Sequence, residues 1–207
     1  EVARVNVLAE KLNLPEEIIK DLKLAAALHD FFKKGEKEIV VSEGLSWDSF
    51  EKASEESTRQ MREAGFNERI IRLANSVGHS SLVETDRILK LESLSPEDIA
   101  YLIQHYVDDY TLGSDWAGLA ENIGDKQIND LDRRVDKSEA NQRYAKLNEE
   151  GRTKLSGETA HEAQRRIGHL VEDRLASLLA KNTGQAVNAR ELPQIIDTEI
   201  QSKIASL

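Results

Sequence analysis

The 207-residue chain contains no cysteine. Disulfides and thiolate metal sites are thereby excluded, so any metal must sit on His, Asp and Glu. That absence also fits a cytoplasmic protein. No apolar run approaches the roughly 18 residues that span a bilayer, and the N-terminus lacks the pattern of a signal peptide. A membrane role is therefore not expected. Dense Lys/Arg runs are missing as well: 28 basic side chains face 38 acidic ones, for a net charge of −10. Non-specific nucleic-acid binding draws its energy from neutralising phosphates and is not expected here. A small phosphorylated molecule, needing only a few local cations, stays open as a partner. Internal repeats and low-complexity stretches are absent, and Ile39–Val41 is the one short β-like run.

What is present reads as helix nearly throughout. Each of the three prolines falls where a helix can begin: Pro15, Pro96 and Pro193. Val5, Leu8, Ala9 and Leu12 repeat at helical spacing. A second helix runs from Pro15 through Ile18, Leu22 and Ala25 to about Phe32, with Gly35 ending it. Ser46 reads as the N-cap of a helix carrying Phe50, Ala53 and Met61 to Gly65, and Asn67 as the cap of the next, ended by Gly78. Ser95-Pro96-Glu97-Asp98 opens a helix through Ile99, Leu102, Ile103, Tyr106 and Tyr110. A polar stretch over 121–144 separates it from a long amphipathic helix after Gly157, in which Ala160, Ala163, Ile167, Leu170, Val171, Leu175, Leu178 and Leu179 form one stripe. The expected fold is an all-α bundle. Its first 150 residues form the main domain, and residues 151–207 a C-terminal helical extension packed on the core or on a second copy in a homodimer.

Some polar groups interrupt the apolar faces. The stretch 24-LAAALHDFFKKG-35 puts His29 and Asp30 side by side after an unbroken apolar run. On a helical wheel His29 lies within about 40° of Ile18, Leu22 and Ala25, and Asp30 falls at the other edge of the same arc. Both are expected to point into protein, where burial without a partner costs several kcal/mol. In 104-QHYVDDYTLGSDW-116, Asp109 borders the apolar face at about −80°, whereas Asp108 falls opposite and is expected to be solvated. His105 sits one turn before Asp109. His79 follows Gly78 at a helix end, as a carbonyl cap, a ligand or a phosphate contact. His161 and His169, on the long C-terminal helix, read as structural or surface residues.

The pair His29-Asp30 on a buried helix, followed at a distance by Asp109, resembles the HD superfamily of metal-dependent phosphohydrolases. The family's H-D-I-G-K extension corresponds to His29-Asp30-Phe31-Phe32-Lys33, with the lysine in register and Phe32 in place of the glycine. Its run Y-x-A-D-Y-x-x-G-x-D corresponds to Tyr106-Val107-Asp108-Asp109-Tyr110-Thr111-Leu112-Gly113-Ser114-Asp115, which puts Asp109 in the ligand slot. The segment from Ile128 to Arg134, with Arg143-Tyr144, is also similar to what trails this aspartate in bacterial HDIG-type members. The family motif begins with a further ligand histidine. Residues 1–28 contain none, and by spacing it would fall just ahead of Glu1.

The resemblance implies a divalent cation (Mn, Fe, Ni, Zn or Mg) held by His29, Asp30 and Asp109, with His79 as an extra ligand or phosphate contact. Asp30 or Asp109 would orient the attacking water, and Lys33 would stabilise charge developing on the phosphate. The implied activity is hydrolysis of a phosphate ester of a nucleotide or another small phosphorylated metabolite. The alternatives are a non-catalytic all-α module that binds a nucleotide or a protein, and a structural helical protein whose His29 and Asp30 merely bond one another or the backbone.

Overall fold

Helix starts in this chain are fixed by local chemistry, and a computed structural model shows where they fall. It describes residues 1–30, 33–112 and 130–206, with the pairs 115–116, 122–123 and 126–127 between them. Side chains at 33–37, 112, 115–116, 122–123, 126–127, 130 and 133 are not described. Ser46 and Ser95 each close a reciprocal capping box, accepting from the backbone N–H of Ser49 and Asp98. Thr159 does the same with Glu162. Pro96 and Pro193 lie in first turns, where a missing N–H leaves no bond unmade. Gly184, at φ 69°, ends the longest helix in the left-handed conformation that glycine adopts without steric cost.

The helices among the described residues are α1 (Val2–Lys11), α2 (Glu16–Leu28), α3 (Lys33–Glu43), α4 (Trp47–Glu63), α5 (Glu68–Ala74), α6 (Leu82–Leu89), α7 (Pro96–Asp109), α8 (Asp130–Glu139), α9 (Ala145–Lys154), α10 (Ala160–Thr183) and α11 (Leu192–Ala205). Two antiparallel ladders of two-residue strands, Thr111–Leu112 with Asp115–Trp116 and Asn122–Ile123 with Lys126–Gln127, lie between α7 and α8. The architecture is all-α. Among the described residues no helix is long and apolar enough to cross a membrane.

The middle of the bundle is α7. Residues Ala100–Val107 and Asp109 are all buried, because α1, α2, α5, α6 and α10 pack around this one helix. A single apolar cluster runs from Val5 to Ile196. Within it Leu131 and Val135 of α8, and Ile167, Val171 and Leu175 of α10, are fully covered. The C-terminal helices therefore lie on the core of their own chain, α10 against α6–α9 and α11 against α1.

Three expectations need correction. The second helix stops at Leu28, so His29 is its C-cap and Asp30 lies in the following turn. Ile39–Val41 is not strand-like but part of α3, which also contains Gly35; packing along α4 overrides the β preference of three branched residues. Finally, the helix capped by Asn67 stops at Ala74, short of Gly78.

Candidate metal centre

His29 sits where α2 ends, and that position fixes its ring. Its Nδ1–H donates to the carbonyl of Ala26 at 2.8 Å. In the neutral ring Nε2 then carries the lone pair. That lone pair faces oxygen on three sides: Glu1 Oε2 at 3.0 Å, Asp30 Oδ1 at 3.1 Å and Asp108 Oδ1 at 3.3 Å. The His29 side chain is 4% exposed and Asp108 12%, whereas Asp30, at the rim, is 62% exposed. Both Glu1 Oε2 and His29 Nε2 are buried without a hydrogen-bond partner among the described residues.

A lone pair surrounded by carboxylates is repulsive unless positive charge sits between them. The protein's own response shows the need. Burial pushes the His29 imidazole down, but Asp108 and Glu1 outweigh it and hold the ring up to about 10. A divalent cation meets the same need. The donor atoms of Glu1, His29 and Asp108 lie within 4.8 Å of one another. Donors about 2.0–2.2 Å from a shared ion are separated by roughly 4 Å or less, so small side-chain adjustments close the set. One imidazole and several carboxylates, without sulfur, suit Mn, Fe, Ni, Zn or Mg.

Of the residues expected at the site, His29 and Asp30 lie 3.1 Å apart, and Asp30 faces solvent more than its wheel position implied. The two adjacent aspartates of α7 exchange roles. Asp108, expected in solvent, looks at His29, and Asp109 does not join the cluster. The wheel assumed one wet face, but α7 is buried all round, so its supposed outer side meets α1 and α2. Asp109, 2% exposed, points instead toward α10. Its Oδ1 accepts from Gln164 Nε2 at 3.2 Å, and its Oδ2 lies 3.4 Å from His105 Nε2. Burial pushes the Asp109 carboxyl up. His105 is fixed from its other side, Nδ1–H donating to Ser76 O at 2.8 Å.

These groups border a cleft of about 820 Å³, counting its open mouth. His29, Asp108 and Asp109 line it together with Phe50, Ser54, Asn75 and His79. His79 is not near the carboxylate cluster's donor set. It packs among Phe50, Tyr144 and His161, with ring centroids 5.5, 6.2 and 5.3 Å away. Burial, with His161 and Arg134 nearby, pushes its imidazole down to about 3, so it is a neutral ring. His161 is fully buried behind it, bonded through Nδ1 to Asn148 Oδ1 at 2.7 Å. His169 bonds Asp132 at 3.0 Å, away from the cleft. The Lys33 side chain lies outside the described residues, as do Gly113, Ser114 and the segment Ile128-Asn129.

Compared with family models, curated proteins and solved structures, the chain matches none.

Sequence reasoning missed Glu1, Arg134 and Gln164. For Glu1 there was a signal: the spacing that put a ligand just ahead of it also marks the neighbourhood of a carboxylate. Arg134 and Gln164 reach the cleft from α8 and α10, and only the tertiary fold brings them there.

Proposed function

We propose that this chain is a metal-dependent hydrolase of phosphate esters, of the HD type, acting on a nucleotide or another small phosphorylated metabolite. One observation carries the reading: a buried imidazole nitrogen, on a ring oriented by the Ala26 carbonyl, stands within 3.3 Å of three carboxylate oxygens. Its ring is met by three carboxylates beside an open cleft.

Glu1, His29 and Asp108 would hold the ion, with Asp30 at its solvent edge. A divalent cation there supplies Lewis-acid chemistry, acidifying a water and polarising a phosphoryl oxygen. The chain's own part is to hold that chemistry in place. The Ala26 carbonyl fixes the His29 ring, a bond of the kind that orients metal-ligating imidazoles. Asp30 is exposed enough to accept a proton from an attacking water.

The test is elemental analysis of the purified protein after Mn²⁺ loading, followed by turnover of a generic phosphomonoester. One bound ion per chain and Mn²⁺-dependent phosphate release, both lost in His29→Ala, are expected. Bound metal with no release from any phosphoester would make the chain a binding module. No bound metal would end the hydrolase reading.

A further inference from the structure

Arg134 is the guanidinium among the cleft's described lining residues, and its place is fixed by the backbone. Its Nη1 donates to the carbonyls of Asp108 at 3.3 Å and Asp109 at 3.0 Å, the last residues of α7. A cation at that position complements the negative end of the helix. It also ties the guanidinium to the backbone of the residue whose side chain faces His29. The distance from this charge to the carboxylate cluster is therefore set by one rigid element rather than by a flexible stem. A guanidinium carries five N–H donors in a planar fork, and the two on Nη1 suffice for the two carbonyls.

We propose that Arg134 anchors the phosphoryl oxygens of the substrate, and that the substrate is a phosphomonoester whose organic part lies along the uncharged wall of the cleft. The inference rests on the hydrolase reading and narrows it. A tetrahedral oxyanion entering a cleft lined by Asp108 and Asp109 meets repulsion unless a fixed cation offsets it, and Arg134 is pre-positioned to do so. Apart from Arg134 and the acids, the described lining includes the neutral Phe50, Ser54, Ser57 and Asn75 and the uncharged His79. Such a wall offers ring stacking and hydroxyl or amide hydrogen bonds. Among the described residues it does not offer the further cations that a polyphosphate chain would need.

The experiment titrates the Mn²⁺-loaded protein with inorganic phosphate by calorimetry, with bound Mn²⁺ counted in parallel. Arg134→Gln is expected to keep the metal count and to weaken phosphate about 10- to 150-fold, as the loss of a charge-assisted hydrogen bond implies. Arg134→Lys, which keeps the charge but not the fork, should fall between that variant and the parent. If both variants lose only thermal stability and bind phosphate as the parent does, Arg134 is merely the C-terminal brace of α7 and the proposal fails. Tripolyphosphate binding more than about tenfold tighter than phosphate would overturn the single-phosphoryl assignment. Should the variants not fold, orthovanadate soaked into crystals of the Mn²⁺-loaded parent decides: an oxyanion bonded to Arg134 supports the anchor, and one seated elsewhere refutes it. A parent that binds Mn²⁺ but no phosphate refutes the anchor alone, whereas a parent that binds no Mn²⁺ refutes the hydrolase reading and the anchor with it.

Discussion

Exchanging Asp108 for Asn, with Asp109→Asn as its partner experiment, separates two carboxylates that are neighbours in sequence and differ in role. Asp108 Oδ1 stands 3.3 Å from His29 Nε2 inside the donor cluster, while Asp109 is engaged by Gln164 and faces His105. At a Mn²⁺ concentration about 100-fold above its dissociation constant, a ligand that binds only the folded state adds about 2.7 kcal/mol of stability. For a domain of this size that raises Tm by roughly 5–10 °C. Removing one charged donor weakens the ion by at least the roughly 100-fold seen when an outer partner is lost. The same Mn²⁺ concentration then equals the new dissociation constant, and the gain falls to about 0.4 kcal/mol, or roughly 1 °C. Asp109→Asn should keep nearly the full Mn²⁺ shift. Differential scanning fluorimetry with and without Mn²⁺ reads both. If Asp109→Asn abolishes the shift and Asp108→Asn preserves it, the assignment of Asp108 is wrong.

Other consequences are independent of the ion. Burial holds the Asp109 carboxyl above its ordinary value near 3.8, so the folded state binds a proton that the unfolded state has released. Stability should therefore fall as pH rises from about 4 through the raised value, and Asp109→Asn should flatten that limb in chemical denaturation. His169 is held up to about 9, by Glu172 against burial and by Asp132. Its contribution is fully present below about 6.5 and lost as pH rises through about 9, so His169→Gln should be most destabilised relative to the parent at acid and neutral pH, with the gap closing above pH 9. A Cβ built on Gly151 would lie 2.7 Å from the backbone nitrogen of Ala160. Gly151→Ala should therefore cost about 1–3 kcal/mol by separating α9 from α10, and an unchanged denaturation midpoint would contradict that packing. Leu131→Ala, at a fully buried position against Gly168, should cost about 2–5 kcal/mol in the same assay.

Much of this arrangement can be read from the sequence, and the parts that cannot fail for identifiable reasons. Ser46, Asn67 and Ser95 announce their helices because capping is local chemistry, settled within four residues. The stripe of α10 is equally legible from its spacing. Ile39–Val41 misleads because branched residues favour strands only when a sheet is there to receive them, and here α4 is the neighbour. At the site, His29 stands out because an imidazole within an apolar arc needs a partner. The choice between Asp108 and Asp109 is beyond a wheel, since a wheel presumes a wet side and α7 has none. Glu1, Arg134 and Gln164 are separated from His29 by 28, 105 and 135 positions along the chain. No periodicity connects them, and only the packing of α1 and α10 on α7, and of α8 on α10, does.

The most direct measurement is an anomalous difference map from crystals grown or soaked with Mn²⁺. The account predicts one peak bonded to His29 Nε2 and to the carboxylates of Glu1 and Asp108, lost in His29→Ala. A featureless map at that position, together with no Mn²⁺ retained in solution, would contradict it.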